Sequence, residues 1–296
     1  MGTVKGAGSG TLPVMTRDPA VLGAKIAVHR LRRYLAWARW RRAFALERVA
    51  AWRPGGREPH LAFAHRSALI RDPARAAEQL QHEKVHNLRI AVARLDGLLL
   101  RPGEMFSFCR LVGPTTRRRG YLPALELRRD GLVARTGGGL CQLSNIIHWL
   151  ALHLDLPVVE RHRHELDLFP DRDRQVPFGC GASVFYNYND LRFVNPGPRA
   201  LWFRFRVEPA GLVGEVYADA PLDFRVEVYD VEGRMYRSGG QVWRENRVRR
   251  RVVRCAEVRD EEIMHNVCRV LYPVPISGGS GRNNHGGWNV YEGEEG

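Results

Sequence analysis

Thr136-Gly137-Gly138-Gly139-Leu140-Cys141-Gln142-Leu143-Ser144-Asn145-Ile146-Ile147-His148-Trp149-Leu150-Ala151-Leu152-His153-Leu154 is the stretch around which the chain is organised. Three glycines give way to a strongly apolar segment whose length favours helix over strand, so Leu140 to about Leu154 reads as a buried helix opening on a glycine turn. Cys141 falls in its first turn. A helix N-terminus carries unpaired N–H groups and the positive end of the dipole, which favours thiolate, the nucleophilic form of cysteine. Glycines before it let a substrate backbone come close and leave N–H groups to face an oxyanion. Gly138, Gly139 and Gln142 are therefore candidate substrate-binding residues, with Cys141 as candidate nucleophile.

A nucleophilic cysteine also needs a base. Downstream lies Glu160-Arg161-His162-Arg163-His164-Glu165. If the chain turns back through Pro157, His164 comes to lie beside the start of the helix. Glu165, Asp167 and Asp190 are the candidates for the third, orienting group, and Arg161 for a bidentate fork on a substrate carboxylate. Cys141, His148, His153, His162 and His164 also crowd together, but without CxxC or HExxH spacing, so no metal site is expected. No Walker loop and no GxGxxG occurs, and no cofactor is expected.

Upstream, Leu125–Leu127 and Leu132–Ala134 flank Asp130-Gly131, a hairpin signal. Met105 to Phe108 reads as a strand after the turn Arg101-Pro102-Gly103. Ala74 to Leu95 reads as a helix started by Asp72-Pro73. Ala24 to Trp52 also reads as helix, with seven arginines interleaved with Tyr34, Trp37, Trp40, Phe44 and Trp52. Such a mix suits a helix on an anionic membrane surface, or a solvated helix whose aromatic residues pack on the main domain. No nucleic-acid module is recognised, so no specific nucleic-acid partner is expected. Beyond the central segment the pattern turns strand-like, at Val184–Tyr188, Leu191–Val194, Trp202–Val207 and Phe224–Tyr229. A short helix is expected from Glu257 to Asn266.

This order predicts an α+β fold: N-terminal helices, then a buried cysteine-bearing helix packed on a mostly antiparallel sheet. The expected divisions are a basic helical region over 1–85, a core domain over 86–200, a β-rich extension over 201–276, and a Gly-rich disordered tail over 277–296.

The 296 residues are 44% apolar and 26% charged, an ordinary globular balance. Net charge is +14, which favours an anionic partner, although the near absence of lysine (Lys5, Lys25, Lys84) also fits nucleotide bias. The five cysteines are odd in number and lack CxxC pairs, which favours a reducing compartment. The N-terminal residues lack the apolar stretch of a signal peptide. The longest apolar segment, Leu143 to Val159, is interrupted by Asn145, His148, His153 and Asp155, too polar to span a bilayer. The expected location is the cytoplasm, peripheral to the inner membrane face through residues 24–52.

The sequence resembles the VanW family, over about Leu31 to Pro275. Asn87-Leu88-Arg89-Ile90-Ala91 matches its asparagine-led entry helix, and Arg101-Pro102-Gly103-Glu104-Met105-Phe106-Ser107-Phe108 its PGE-x-FSF segment. Gly137-Gly138-Gly139-Leu140-Cys141-Gln142-Leu143-Ser144-Asn145 matches the GGG-x-CQLS signature, and Glu160-Arg161-His162-Arg163-His164 the ER-x-x-H segment. Pro177-Phe178-Gly179 to Leu191 resembles the strand segment that follows. Glu165 and Cys180 stand where the family usually has hydroxyl residues.

The resemblance implies one of two functions. Some envelope proteins with this domain are associated with peptidoglycan cross-linking of the L,D-transpeptidase type. By position, Cys141 would be the nucleophile and His164 the base of a cysteine-dependent acyltransferase or amidase acting on peptidoglycan-type peptides or precursors. The alternative is a non-catalytic cell-envelope and glycopeptide-resistance accessory or binding module at the inner membrane face.

Overall fold

Helix propensity and sheet pairing compete early in the chain, and each wins one stretch. The computed structural model describes residues 19–39, 43–70, 78–128, 131–164, 166–167, 175–274 and 290–292. The chain divides into two compact units, one through Arg39 and one from Trp40 onward. In the first, Ala, Leu and Arg, all good helix formers, build α1 (Pro19–Arg39). The helix expected to continue to Trp52 stops there. From Phe44 the chain is extended, bridged at Phe44 to Met105 and at Arg48 to Leu98. Ala45 N–H donates to Met105 O at 3.0 Å, and Leu99 N–H to Glu47 O at 2.9 Å. Backbone pairing at a sheet edge, with Phe44 and Ala45 buried, outweighs the few tenths of a kcal/mol per residue that propensity offers.

The second unit opens with β1 (His60–Ser67) and α2 (Glu78–Leu95); the expected start of that helix at Ala74 lies outside the described residues. β2 (Leu98–Leu100), β3 (Met105–Ser107) and the short α3 (Phe108–Val112) follow. The expected hairpin is present: β4 (Pro123–Arg128) pairs antiparallel with β5 (Gly131–Thr136), Arg128 opposite Gly131. Then come α4 (Cys141–His153), β6 (Val158–Glu160), β7 (Leu166–Asp167) and β8 (Arg192–Val194). The remainder is β9 (Leu201–Glu208), β10 (Gly211–Ala218), β11 (Phe224–Ser238), β12 (Gln241–Arg254), β13 (Glu257–Val270) and β14 (Val290–Glu292).

Two larger sheets result, ordered β1-β10-β9-β2 and β14-β11-β12-β13-β7, beside the small sheet β3-β8-β6. Pairing is mostly antiparallel, and the fold is α+β with the cysteine-bearing helix buried, as the sequence predicts. Apolar residues run round most of α4 because both larger sheets touch it. Leu143, Ile146, Ile147 and Leu150 join Leu88, Phe203, Phe205 and Leu212 in the main core. Trp149 and Leu152 instead meet Val248 and Met264 of the long sheet. Gly214 of β10 lets the helix approach, since a Cβ there would press on Leu150 Cδ1 at 2.9 Å. Phe106 stacks on Phe193 at 4.5 Å and ties the small sheet into the main core.

Two segments differ from their sequence reading. Val184–Tyr188 is not a strand but a turn, closed by a bridge from Phe185 to Asn189, with Asn187 left-handed at φ 54°. Glu257–Asn266 is not a helix but the first part of β13. Met264, Asn266, Cys268 and Val270 are buried at alternate positions, and pairing along β12 overrides the helical leaning of the acidic run. Most of the expected disordered tail lies outside the described residues; within it, Val290–Glu292 forms β14, parallel to β11.

Candidate functional site

The glycine turn is shaped by close packing. Gly137 and Gly139 adopt φ of 82° and 88°, a region costly for other residues. A Cβ on Gly138 would collide with the carbonyl of Ala124, and one on Gly139 with the side chain of Lys84. Gly138 N–H donates to Arg135 O at 2.8 Å, so it is not free to bind an oxyanion. Gly138 O accepts from Asn87 Nδ2 at 3.0 Å. Asn87, buried in α2, also donates to Leu122 O and accepts from Leu122 N–H, both at 2.9 Å. One amide thus holds the glycine turn against the entrance of β4.

The first turn of α4 is a double clasp. Gln142 Nε2 donates to Ser67 Oγ at 3.0 Å and to Ala68 O at 2.6 Å, at the end of β1. That donor is not available to an oxyanion hole. Ser144 Oγ donates to Ala182 O at 2.6 Å, and Asn145 Oδ1 accepts from Ala182 N–H at 2.7 Å. Helical spacing points Gln142 to one neighbour and Ser144 and Asn145 to another.

Cys141 keeps part of its surface accessible. Burial pushes its thiol up, opposed by hydrogen bonds from the Val184 backbone and the Ser183 side chain, while the Glu126 carboxylate adds to the rise. The expected lowering at a helix start is therefore outweighed by desolvation.

His164 does not figure among the groups acting on Cys141. Burial, then the neighbouring Arg161, pushes its imidazole down to about 4. The His164 carbonyl accepts from Cys268 Sγ at 3.1 Å. Arg161 donates to Gly181 O at 2.8 Å and to Gly179 O, so its guanidinium braces the loop before Ser183 and is not held open as a carboxylate fork. Asp190, fully buried, accepts from Ser107 Oγ at 2.6 Å, Cys109 N–H at 2.8 Å and Leu191 N–H at 2.9 Å. It organises the start of α3; no histidine is among these partners. Asp167 pairs with buried Arg244 at 3.0 Å and accepts from Tyr272 Oη at 3.1 Å. Glu165 lies outside the described residues.

The other histidines are used locally. His162 Nε2 meets Glu160 Oε1 at 3.0 Å, and Glu160 also pairs with Arg192 at 2.7 Å. His148 is held near 3 by burial, its Nδ1 bonded to Cys180 O at 2.7 Å. His153, lowered to about 4, stacks on Phe63 with ring centroids 4.0 Å apart. Among the described residues, no three His, Cys, Asp or Glu side chains are grouped to hold a metal ion.

A half-buried patch beside Cys141 remains, and sequence spacing did not reveal it. It holds Ser183, Glu126, Arg135 and Phe185. Arg135 pairs with Glu126 at 3.2 Å and lies over the Phe185 ring at 4.4 Å. Glu126 and Arg135 meet because the hairpin sets Glu126 opposite Val133 and Ala124 opposite Arg135, a diagonal contact. The hairpin signal could have revealed that pair; nothing local marks Ser183. The patch offers a thiol, a hydroxyl and an arginine–aromatic platform. Those are means of recognition.

Residues 83–217 match the family described as VanW like protein. The chain is 29% identical over 222 residues, 74% of its own length and 81% of the relative's, to vancomycin B-type resistance protein VanW of Enterococcus faecalis (strain ATCC 700802 / V583). It is 27% identical over 141 residues, 48% of this chain and 45% of the relative's, to uncharacterized protein YoaR of Bacillus subtilis (strain 168). No solved structure matches it.

Proposed function

Because the chain belongs to the VanW family, we propose that it acts as a non-catalytic cell-envelope accessory in glycopeptide resistance, binding peptidoglycan-type peptides without turning them over. One observation carries this reading: the polar groups of the GGG-x-CQLS signature that would serve acyl transfer are engaged inside the fold. Gly138 N–H and the Gln142 amide have internal acceptors. Burial holds the Cys141 sulfur as thiol. His164 is buried beside Arg161. The signature then maintains the patch formed by Cys141, Ser183, Glu126, Arg135 and Phe185, and that patch holds the ligand.

Alkylation mapped by mass spectrometry tests the reading. Cys141 should react with iodoacetamide more slowly than a free cysteine near neutral pH. A Cys141→Ser variant keeps a hydrogen-bonding group of similar size in the patch and removes only the nucleophilic sulfur, so it should leave the host's glycopeptide susceptibility as the wild type sets it. Faster-than-free labelling near neutral pH, with loss of the effect in that variant, overturns the proposal and restores the thioester reading.

A further inference from the structure

The N-terminal unit supplies an observation independent of the accessory reading. α1 spans 21 residues and contains no aspartate or glutamate. Lys25, Arg30, Arg32, Arg33 and Arg39 all fall within it. At 100° per residue, Ala24, Val28, Leu31, Leu35 and Ala38 fall on one narrow stripe. Val28, Leu31 and Leu35 are 48%, 59% and 61% exposed. A free helix does not leave such a stripe to water without cost. Arg32 and Arg39 lie along one side of the stripe, and Tyr34 and Trp37, whose rings meet edge-on at 5.5 Å, lie near the C-terminal end.

We propose that α1 lies flat on an anionic lipid surface, its Val28–Leu31–Leu35 stripe in the acyl boundary and Arg32 and Arg39 toward lipid phosphates. Charge selects this occupant. The stripe has the four-three spacing of a coiled-coil seam, but it is under three heptads long and carries alanine at two of the five positions above. The helix bears positive groups and no acid, so a second copy would set positive charge against positive charge. An anionic surface attracts the positive charges beside the stripe, with about 1 kcal/mol for each arginine near it. No described helix is long and apolar enough to cross a membrane, so the contact is one of lying on the surface, not of spanning.

Co-sedimentation of the full chain tests this. Vesicles of phosphatidylcholine mixed with phosphatidylglycerol should bring it down, and vesicles of phosphatidylcholine alone should not. Raised salt should release it. Arg32→Gln should weaken binding about fivefold, the effect of one charge at the surface. The pair Leu31→Ser and Leu35→Ser should abolish it while far-UV circular dichroism keeps the helical signal. Equal binding to neutral vesicles overturns the proposal, as does binding untouched by these variants. A concentration-dependent dimer without lipid, abolished by the same leucine changes, also overturns it in favour of a second copy. None of these outcomes bears on Cys141, so this proposal and the accessory reading fail separately.

Discussion

Asn87 and Asn187 show how the same residue type can hold a fold together or weigh on it. Asn87 satisfies both ends of its amide in a buried place, holding Leu122 and Gly138 together. Asn87→Ala would orphan those backbone groups. We expect it to cost about 3 kcal/mol, read as a lower urea midpoint at unchanged slope. Asn187 is also buried, but its Oδ1 and Nδ2 have no partner among the described residues, and its backbone is left-handed. Glycine adopts that conformation freely and has no amide to desolvate. Asn187→Gly should therefore raise stability by about 1 kcal/mol, and a fall in melting temperature would contradict this account. The chain predicts that Asn87 and Gly137–Gly139 matter. It does not predict that they meet, because 51 positions separate Asn87 from Gly138 and the contact exists only once α2 lies over the β4 entrance.

Elements were most readable where a local period and a turn signal agreed. The hairpin at Asp130-Gly131 and helix α4 are of that kind, because their pairing or burial is set within a few residues. Phe44 to Trp52 and Glu257 to Asn266 were misread where distant backbone offered hydrogen bonds that propensity does not register. The long sheet is pinned at its far end by a buried ion pair between β12 Arg244 and β7 Asp167. Arg244 also lies over the Phe178 ring at 4.2 Å. Removing one partner strands the other charge away from water, so Asp167→Ala should cost about 3–5 kcal/mol. The double change Arg244→Met with Asp167→Leu should recover much of that loss in a denaturant titration. Equal destabilisation by the single and double changes would mean that packing, and not stranded charge, sets the cost.

Across the whole molecule, burial of histidine makes stability depend on acid. His148 sits near 3, and His153 and His164 near 4, against about 6.5 when unfolded. Their folded values are lowered, so the unfolded chain takes up protons first as pH falls. Their contribution is complete above about pH 6.5 and is lost toward pH 4, at up to about 1.4 kcal/mol per pH unit for each histidine. Melting temperature should fall steeply from pH 7 to pH 5, and His148→Gln should flatten that slope by about a third. A melting temperature flat over this range would show that these rings are protonated in the fold. Hydrophobic period and the glycine-led signature were enough to establish the α+β class, the buried α4 helix and the resemblance to the VanW family, because each depends on residues close together along the chain. What Cys141 faces and where Gln142 and Arg161 spend their donors depend on contacts between distant segments. Those contacts form only when burial draws both sheets onto α4, and desolvation then raises the Cys141 thiol and lowers the imidazoles of His148 and His153.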